Sequence, residues 1–222
     1  PVVSRPFAVT TDLTPTITWQ GSPAKYGLKV DKVIVVSGVV TSRTTVINLS
    51  NVTSTTYTPT SNLAIGRYEV TVTSTNGSGT TSSVPYFFDV TQLNLTSPVG
   101  STFDTTPNFK WATVPGSSRY DIWVDQTLPT VKHQVIRNQF VPSNNYESTL
   151  TLGQGTYTWW VRAYDADGVE GAWSPSKTFT INRATISSPA RVTLNTKPTF
   201  TWTNLSAPRY ELWVNQVGGT PK

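Results

Sequence analysis

The chain holds one histidine, His133, and no cysteine. Hydrolytic chemistry of the Ser/His/Asp type needs a base, a nucleophile and an orienting carboxylate held together. The fold expected below places no second titratable partner near His133, and without cysteine neither thiolate chemistry nor disulfides are available. Glycine-rich phosphate loops are absent, so no catalytic residue and no organic cofactor is expected. The run Asp165-Ala166-Asp167-Gly168-Val169-Glu170 alternates carboxylates around a glycine, the residue types of a calcium loop. It is shorter than the twelve-residue calcium pattern, and a solvated hairpin loop accounts for it equally well, so Asp165, Asp167 and Glu170 stand as a calcium candidate only. The remaining chemistry-bearing residues are aromatic and cationic: Trp123, Trp160, Arg162, Trp173 and Trp213. Exposed indoles beside guanidinium groups can stack as cation–π pairs or receive a ligand.

What positions these side chains is a repeat. The octet Arg119-Tyr-Asp-Ile-Trp-Val-Asp-Gln126 returns as Arg209-Tyr-Glu-Leu-Trp-Val-Asn-Gln216. Pro15-Thr-Ile-Thr-Trp19 matches Pro107-Asn-Phe-Lys-Trp111 and Pro198-Thr-Phe-Thr-Trp202. Leu63-Ala-Ile-Gly66-Arg-Tyr68 matches Leu152-Gly-Gln-Gly155-Thr-Tyr157, and Phe88-Asp-Val90 matches Phe179-Thr-Ile181. These landmarks keep their order at a period of roughly ninety residues, which defines two complete units and the opening of a third. The expected boundaries are 1–92, 93–182 and 183–222, with short linkers at Thr91–Asn94 and Asn182–Ala184.

Within each unit apolar residues alternate with a period of two, and Gly, Pro, Asn and Ser clusters separate the runs. Only 13% of residues are charged, and the abundance of Thr, Val and aromatics favours strands. The expectation is an all-β chain of tandem antiparallel two-sheet sandwiches with about seven strands per complete unit. A Trp on the second strand, a Tyr opening the third and the Leu-x-x-Gly-x-Tyr stretch together resemble the fibronectin type III family, within the wider immunoglobulin-like group. That resemblance implies that Tyr68 and Tyr157 are tyrosine corners, each hydroxyl bonding backbone upstream. Gly171-Ala-Trp173-Ser-Pro-Ser176 is similar to the last strand of such domains. The first unit, ending in "TNGSGTTSSVPYFF", lacks the Trp-Ser element, so its last hairpin is expected to differ. Asp12, Asp104 and Asn195 recur in register before each Pro-x-x-x-Trp, where Asx-turns are expected.

Strand parity sends Tyr120, Ile122 and Val124 inward and Asp121, Trp123 and Asp125 outward, and likewise Thr158, Trp160 and Arg162 outward. Trp123, Trp160, Arg162 and Trp173 are then expected on one outer surface. The favoured reading is a cation–π ladder with Arg162 between Trp rings; the competing one is a platform for a glycan or a protein. At the matching sites the first unit offers Gly27, Lys29, Glu69 and Thr71, so such a face belongs to the second unit and, through Trp213, the third.

The net charge of +5 comes from scattered residues, no two Lys or Arg being adjacent, which is not the clustered footprint of nucleic-acid binding. No apolar run reaches the length of a membrane helix. These readings converge on a structural or adhesive module of a long extracellular or cell-surface, bacterial, multi-domain protein, partnered by neighbouring domains or copies of itself. The third unit carries only its first three strands. Its face of Phe200, Trp202, Tyr210, Leu212 and Val214 is expected to be β-structured from Ile186 to Val214 and covered by the second unit or by another chain through strand complementation, a head-to-tail form of which would build a filament. Side chains bare to solvent in the single chain would count against complementation.

Overall fold

The computed structural model describes residues 1–22, 25–77, 79–190, 192–205 and 209–215. In chain order the first repeat contributes β1 (Val2–Arg5), β2 (Val9–Thr10), β3 (Ile17–Gln20), β4 (Tyr26–Val36), β5 (Val39–Val52), β6 (Thr56–Tyr57), β7 (Gly66–Asn76), β8 (Gly79–Ser82) and β9 (Tyr86–Val90). The second contributes β10 (Leu95–Ser97), β11 (Gly100–Thr102), β12 (Asn108–Trp111), β13 (Arg119–Leu128), β14 (Lys132–Val141), β15 (Asn145–Glu147), β16 (Gly155–Tyr164) and β17 (Lys177–Ile181). One sheet of each sandwich is short, ordered β1-β3-β6 or β10-β12-β15. The other is long, ordered β2-β9-β7-β4-β5, with β8 beside β7, or β11-β17-β16-β13-β14. β1 and β2 are two halves of one strand line that switches sheets, pairing first antiparallel with β3 and then parallel with β9. β10 and β11 repeat that switch. This is the fibronectin type III-like sandwich, seven strand lines in two sheets, and the chain carries it in tandem. Among the described residues no element is a helix, so no helix there is long and apolar enough to cross a membrane.

Alternation builds the cores. Along β16 Tyr157, Trp159, Val161 and Ala163 are buried, and on β13 Tyr120, Ile122 and Val124 are buried opposite Ala163, Val161 and Trp159. Phe109 of the short sheet meets Trp159 edge-on at 5.0 Å and Phe179 at 5.7 Å. Tyr157 stacks on Phe179 at 5.2 Å and 18°, and Tyr68 stacks on Phe88 at 5.3 Å and 18° in the first sandwich. Burying each such ring stabilises by about 2 kcal/mol, and a favourable pair adds about 1 kcal/mol. The two cores draw on Val3 to Val90 and on Leu93 to Ile181.

Both tyrosine corners form. The Tyr68 hydroxyl donates to Ala64 O at 2.6 Å and the Tyr157 hydroxyl to Gly153 O at 2.9 Å. The motif glycine is required in both: Gly66 and Gly155 have φ of +148° and +157°, and a Cβ on Gly155 would strike the Leu128 carbonyl oxygen. The Asx-turns form in all three repeats, Asp12, Asp104 and Asn195 accepting from the amides of Thr14, Thr106 and Lys197 at 2.8, 2.8 and 2.9 Å.

One expectation holds and one needs correction. The last hairpin of the first repeat differs as expected, β8 pairing with β7 where the second repeat has the single bridge Tyr164–Glu170, but the serine contacts are shared. Ser83 exchanges two hydrogen bonds with the backbone of Val72, and Ser174 does the same with Val161. Only the tryptophan of the Trp-Ser element is missing. In the third repeat β18 (Ile186–Ser188) pairs with β19 (Thr201–Trp202), but the expected third strand is not formed. Tyr210, Leu212, Trp213 and Val214 are exposed and belong to no strand. In the complete repeats that strand lies between two ladder partners, β5 and β7 or β14 and β16. Among the described residues the third repeat has a counterpart of neither, so its backbone has nothing to pair with. Local contacts survive: the Tyr210 hydroxyl accepts from Leu205 N at 2.6 Å, as Tyr120 accepts from Val114 N at 3.0 Å, and Trp202 meets Tyr210 at 5.6 Å as Trp111 meets Tyr120 at 5.4 Å. In the single chain the second sandwich does not cover Tyr210, Leu212 and Val214, which are exposed.

The loop after β16 touches the first sandwich. Ala172 N donates to Thr11 O at 3.0 Å, and Asp167 pairs with Arg5. Gly171 lies so close to Thr11 that an added Cβ would stand 2.9 Å from the Thr11 Cβ and 3.1 Å from its carbonyl carbon.

Candidate functional site

The outer face of the second long sheet collects the residues singled out above. Asp121 pairs in register with Arg162, Trp123 with Trp160 and Asp125 with Thr158 across β13 and β16, so all six share a face. On the other side Trp123 pairs with Arg137 of β14. Trp173 is carried onto this face by the Ser174–Val161 backbone bonds.

A continuous ladder results. Trp173 meets Trp123 edge to face at 6.0 Å and 84°. Arg137 lies 4.6 Å over Trp123 and 5.2 Å over Trp173, and Arg162 lies 4.8 Å over Trp173 and 5.3 Å over Tyr164. Arg119 extends it, 3.6 Å over Tyr164 and 4.9 Å over Phe140. Each such contact contributes about 0.5–2 kcal/mol according to its exposure. Arg162 therefore stacks between Trp173 and Tyr164, not between tryptophans alone, and Trp160 stands outside the ladder. Arg137 was not expected. Ile136 is buried in the core, so parity alone could have sent Arg137 outward, but no repeated landmark marks β14.

Asp121 lies beneath the ladder with no exposure at all. Its Oδ2 accepts from Arg137 Nη2 at 2.8 Å and Arg162 Nε at 3.1 Å. Burial pushes its carboxyl above the usual range, and Arg137, Arg162 and Arg119 pull it back only in part. Its Oδ1, buried without a hydrogen-bond donor, is consistent with that direction.

Asp125 is set differently. Its Oδ1 accepts from Trp123 Nε1 at 2.5 Å and Gln134 N at 2.8 Å, and its Oδ2 contacts His133 Nδ1 at 2.9 Å. Burial alone would raise its pKa, but these hydrogen bonds from His133, Gln134 and Trp123 hold it below the usual value. His133 thus does have a titratable partner, contrary to expectation, because the β13–β14 turn folds it back over Asp125. The imidazole is largely exposed and no hydroxyl bonds its other nitrogen among the described residues.

Asp165, Asp167 and Glu170 diverge. Asp165 Oδ1 accepts from Asp167 N and Val169 N, both at 2.9 Å, closing the loop on itself. Asp167 pairs with Arg5 across the junction, and Glu170 pairs with Arg162 at 2.6 Å. Three separate partners draw the carboxylates apart, and no cluster of three metal-ligating side chains occurs among the described residues. Trp213, the counterpart of Trp123, is 76% exposed and joins no ladder.

No protein-family model matches the chain, and no curated protein matches it. Among solved structures it is similar to a two-domain fibronectin type III segment of chicken tenascin, at 12% identity over 80% of this chain and 95% of that one, with a TM-score of 0.32. It is also similar to fibronectin(III)-like modules of CbhA from Clostridium thermocellum, at 16% identity over 81% of this chain and 92% of that one, with a TM-score of 0.28. The fold assignment itself rests on the sheet order and the tyrosine corners.

Proposed function

We propose that the chain is a non-catalytic structural or adhesive module, a semi-rigid spacer and assembly element of a long extracellular or cell-surface, bacterial protein, with repeat boundaries at residues 92 and 182. The observation that carries this reading is the junction. Gly171 and Ala172 pack on Thr11, Asp167 pairs with Arg5, and Leu93 and Leu95 of the connecting segment are buried in the second core. So little free chain between folded bodies restricts their relative motion. Small-angle scattering tests it: one narrow distribution of inter-domain angles is expected, and a broad multi-angle distribution refutes it.

A second reading gives the outer aromatic face of the second sandwich a ligand, glycan or protein. It is favoured by an open cleft of ≈ 280 Å³ lined by Trp123, Asp125, Trp160 and Trp173. Titrating oligosaccharides against the parent protein, Trp123→Ala and Trp160→Ala separates a binding face from a purely structural ladder.

A further inference from the structure

The cleft has an unusual composition: three half-buried indoles and one carboxylate. Trp123 and Trp160 are direct cross-strand neighbours, yet Trp160 makes no ring contact among the described residues. Trp123 instead takes Trp173 edge-on, and the space between that pair and Trp160 is the cleft. Asp125, two residues along β13 on the same face, closes one side.

The chemistry of this lining decides among ligand types. A sugar needs acceptors and donors for its hydroxyls, and a primary ammonium needs partners for three N–H groups. Asp125 has little to offer either, since Trp123 Nε1, Gln134 N and His133 Nδ1 already occupy three of its acceptor positions. What those bonds leave intact is its negative charge. Arg137 and Arg162, the guanidinium groups that touch Trp123 and Trp173, are balanced by carboxylates: Asp121 pairs with both and Glu170 with Arg162. The site therefore offers π faces and a carboxylate but little capacity to accept hydrogen bonds. That suits a cation carrying no N–H group.

Building on the second reading above, we propose that the cleft between Trp160 and the Trp123–Trp173 pair is an aromatic cage for a quaternary trimethylammonium group, with the Asp125 carboxylate as its counter-charge. The same group occurs on choline and on trimethyllysine, and the cage recognises what they share.

The test uses the whole chain and follows the indole N–H resonances while tetramethylammonium chloride is added against salt-matched potassium chloride. Saturable shifts at Trp160 and Trp173 are expected. 3,3-Dimethylbutan-1-ol, the neutral isostere of choline, should bind about tenfold more weakly than choline, the factor a partly desolvated cation–π site provides. Choline and trimethyllysine are titrated in parallel, and the tighter of the two identifies the source. Trp160→Ala should abolish the response, and Asp125→Asn should weaken it several-fold. The ligand series on the unaltered protein decides the matter even where a variant folds poorly. Equal binding of 3,3-dimethylbutan-1-ol and choline overturns the cage. A response to methyl glucoside but not to tetramethylammonium overturns the cage and leaves the ligand-binding face standing. No response to any of them, with none to a glycan panel, removes both.

Discussion

Replacing Asp121 with alanine should be the most damaging single surface-face substitution in the second sandwich. The carboxylate has no exposure and holds Arg137 and Arg162 at 2.8 and 3.1 Å. Removing one partner of a buried ion pair costs about 3–5 kcal/mol, because the remaining charge is left uncompensated. The two arginine side chains keep 20% and 15% of their exposure, and Arg162 retains Glu170, so the lower end, about 3 kcal/mol, applies. In a domain of this size 1 kcal/mol corresponds to roughly 5 °C, so the melting transition of the second sandwich should fall by about 15 °C while that of the first stays in place. Differential scanning calorimetry reads both transitions. The raised pKa of Asp121 indicates that desolvation offsets much of the pair's attraction. The double variant Asp121→Leu with Arg137→Met should therefore recover to within about 1 kcal/mol of the parent. A shift below about 5 °C for the alanine variant, or a double variant no better than the single one, would refute this reasoning.

Tyr157→Phe removes one hydrogen bond, to Gly153 O, and should cost about 1 kcal/mol in urea unfolding of the second sandwich; Tyr68→Phe should do the same to the first. Trp159→Ala empties the centre of the second core and should cost about 3–5 kcal/mol, read as loss of the calorimetric transition at the highest temperature at which the parent remains folded. Gly171→Ala drives a methyl group into Thr11 and should broaden the inter-domain angles seen by scattering while both melting transitions hold. Asp125 and Asp31 are held below the ordinary carboxylate value, Asp31 by Lys29 and Thr45 against burial. Each contributes stability that is complete above about pH 4 and is lost as pH falls through the lower folded value. Asp125→Asn should shrink the difference between urea midpoints at pH 7 and pH 3; an unchanged difference would show that Asp125 is not part of the acid limb.

The parts legible in the sequence were those fixed by local geometry. Period-two alternation placed Trp123, Trp160 and Arg162 on one outer face, and the Leu-x-x-Gly-x-Tyr spacing located both tyrosine corners. The Asx-turns at Asp12, Asp104 and Asn195 needed only three neighbouring residues. What escaped depended on contacts across sequence. Arg137 reached the ladder from β14, whose pairing with β13 is broken by irregularities on both sides. The His133–Asp125 pair came from a hairpin turn that no repeated motif marks. The third strand of the last repeat was expected from its pattern, Tyr210-Glu-Leu-Trp-Val214, yet pattern selects a face and cannot supply the hydrogen-bond partners a strand requires.

The loop from Asp165 to Trp173 is fastened at both of its surfaces. Asp167 and Ala172 hold the first sandwich through Arg5 and Thr11, and Glu170 and Trp173 hold the ladder through Arg162 and Arg137. A pull that separates the two sandwiches acts on these contacts as well as on the connecting segment, whose Leu93 and Leu95 are buried in the second core. The tension reaches Trp173 within one residue of the junction, and Trp173 is a wall of the cleft. Separating the two sandwiches must break the Asp167 and Ala172 contacts, and indole fluorescence under load would report whether the cleft opens with them.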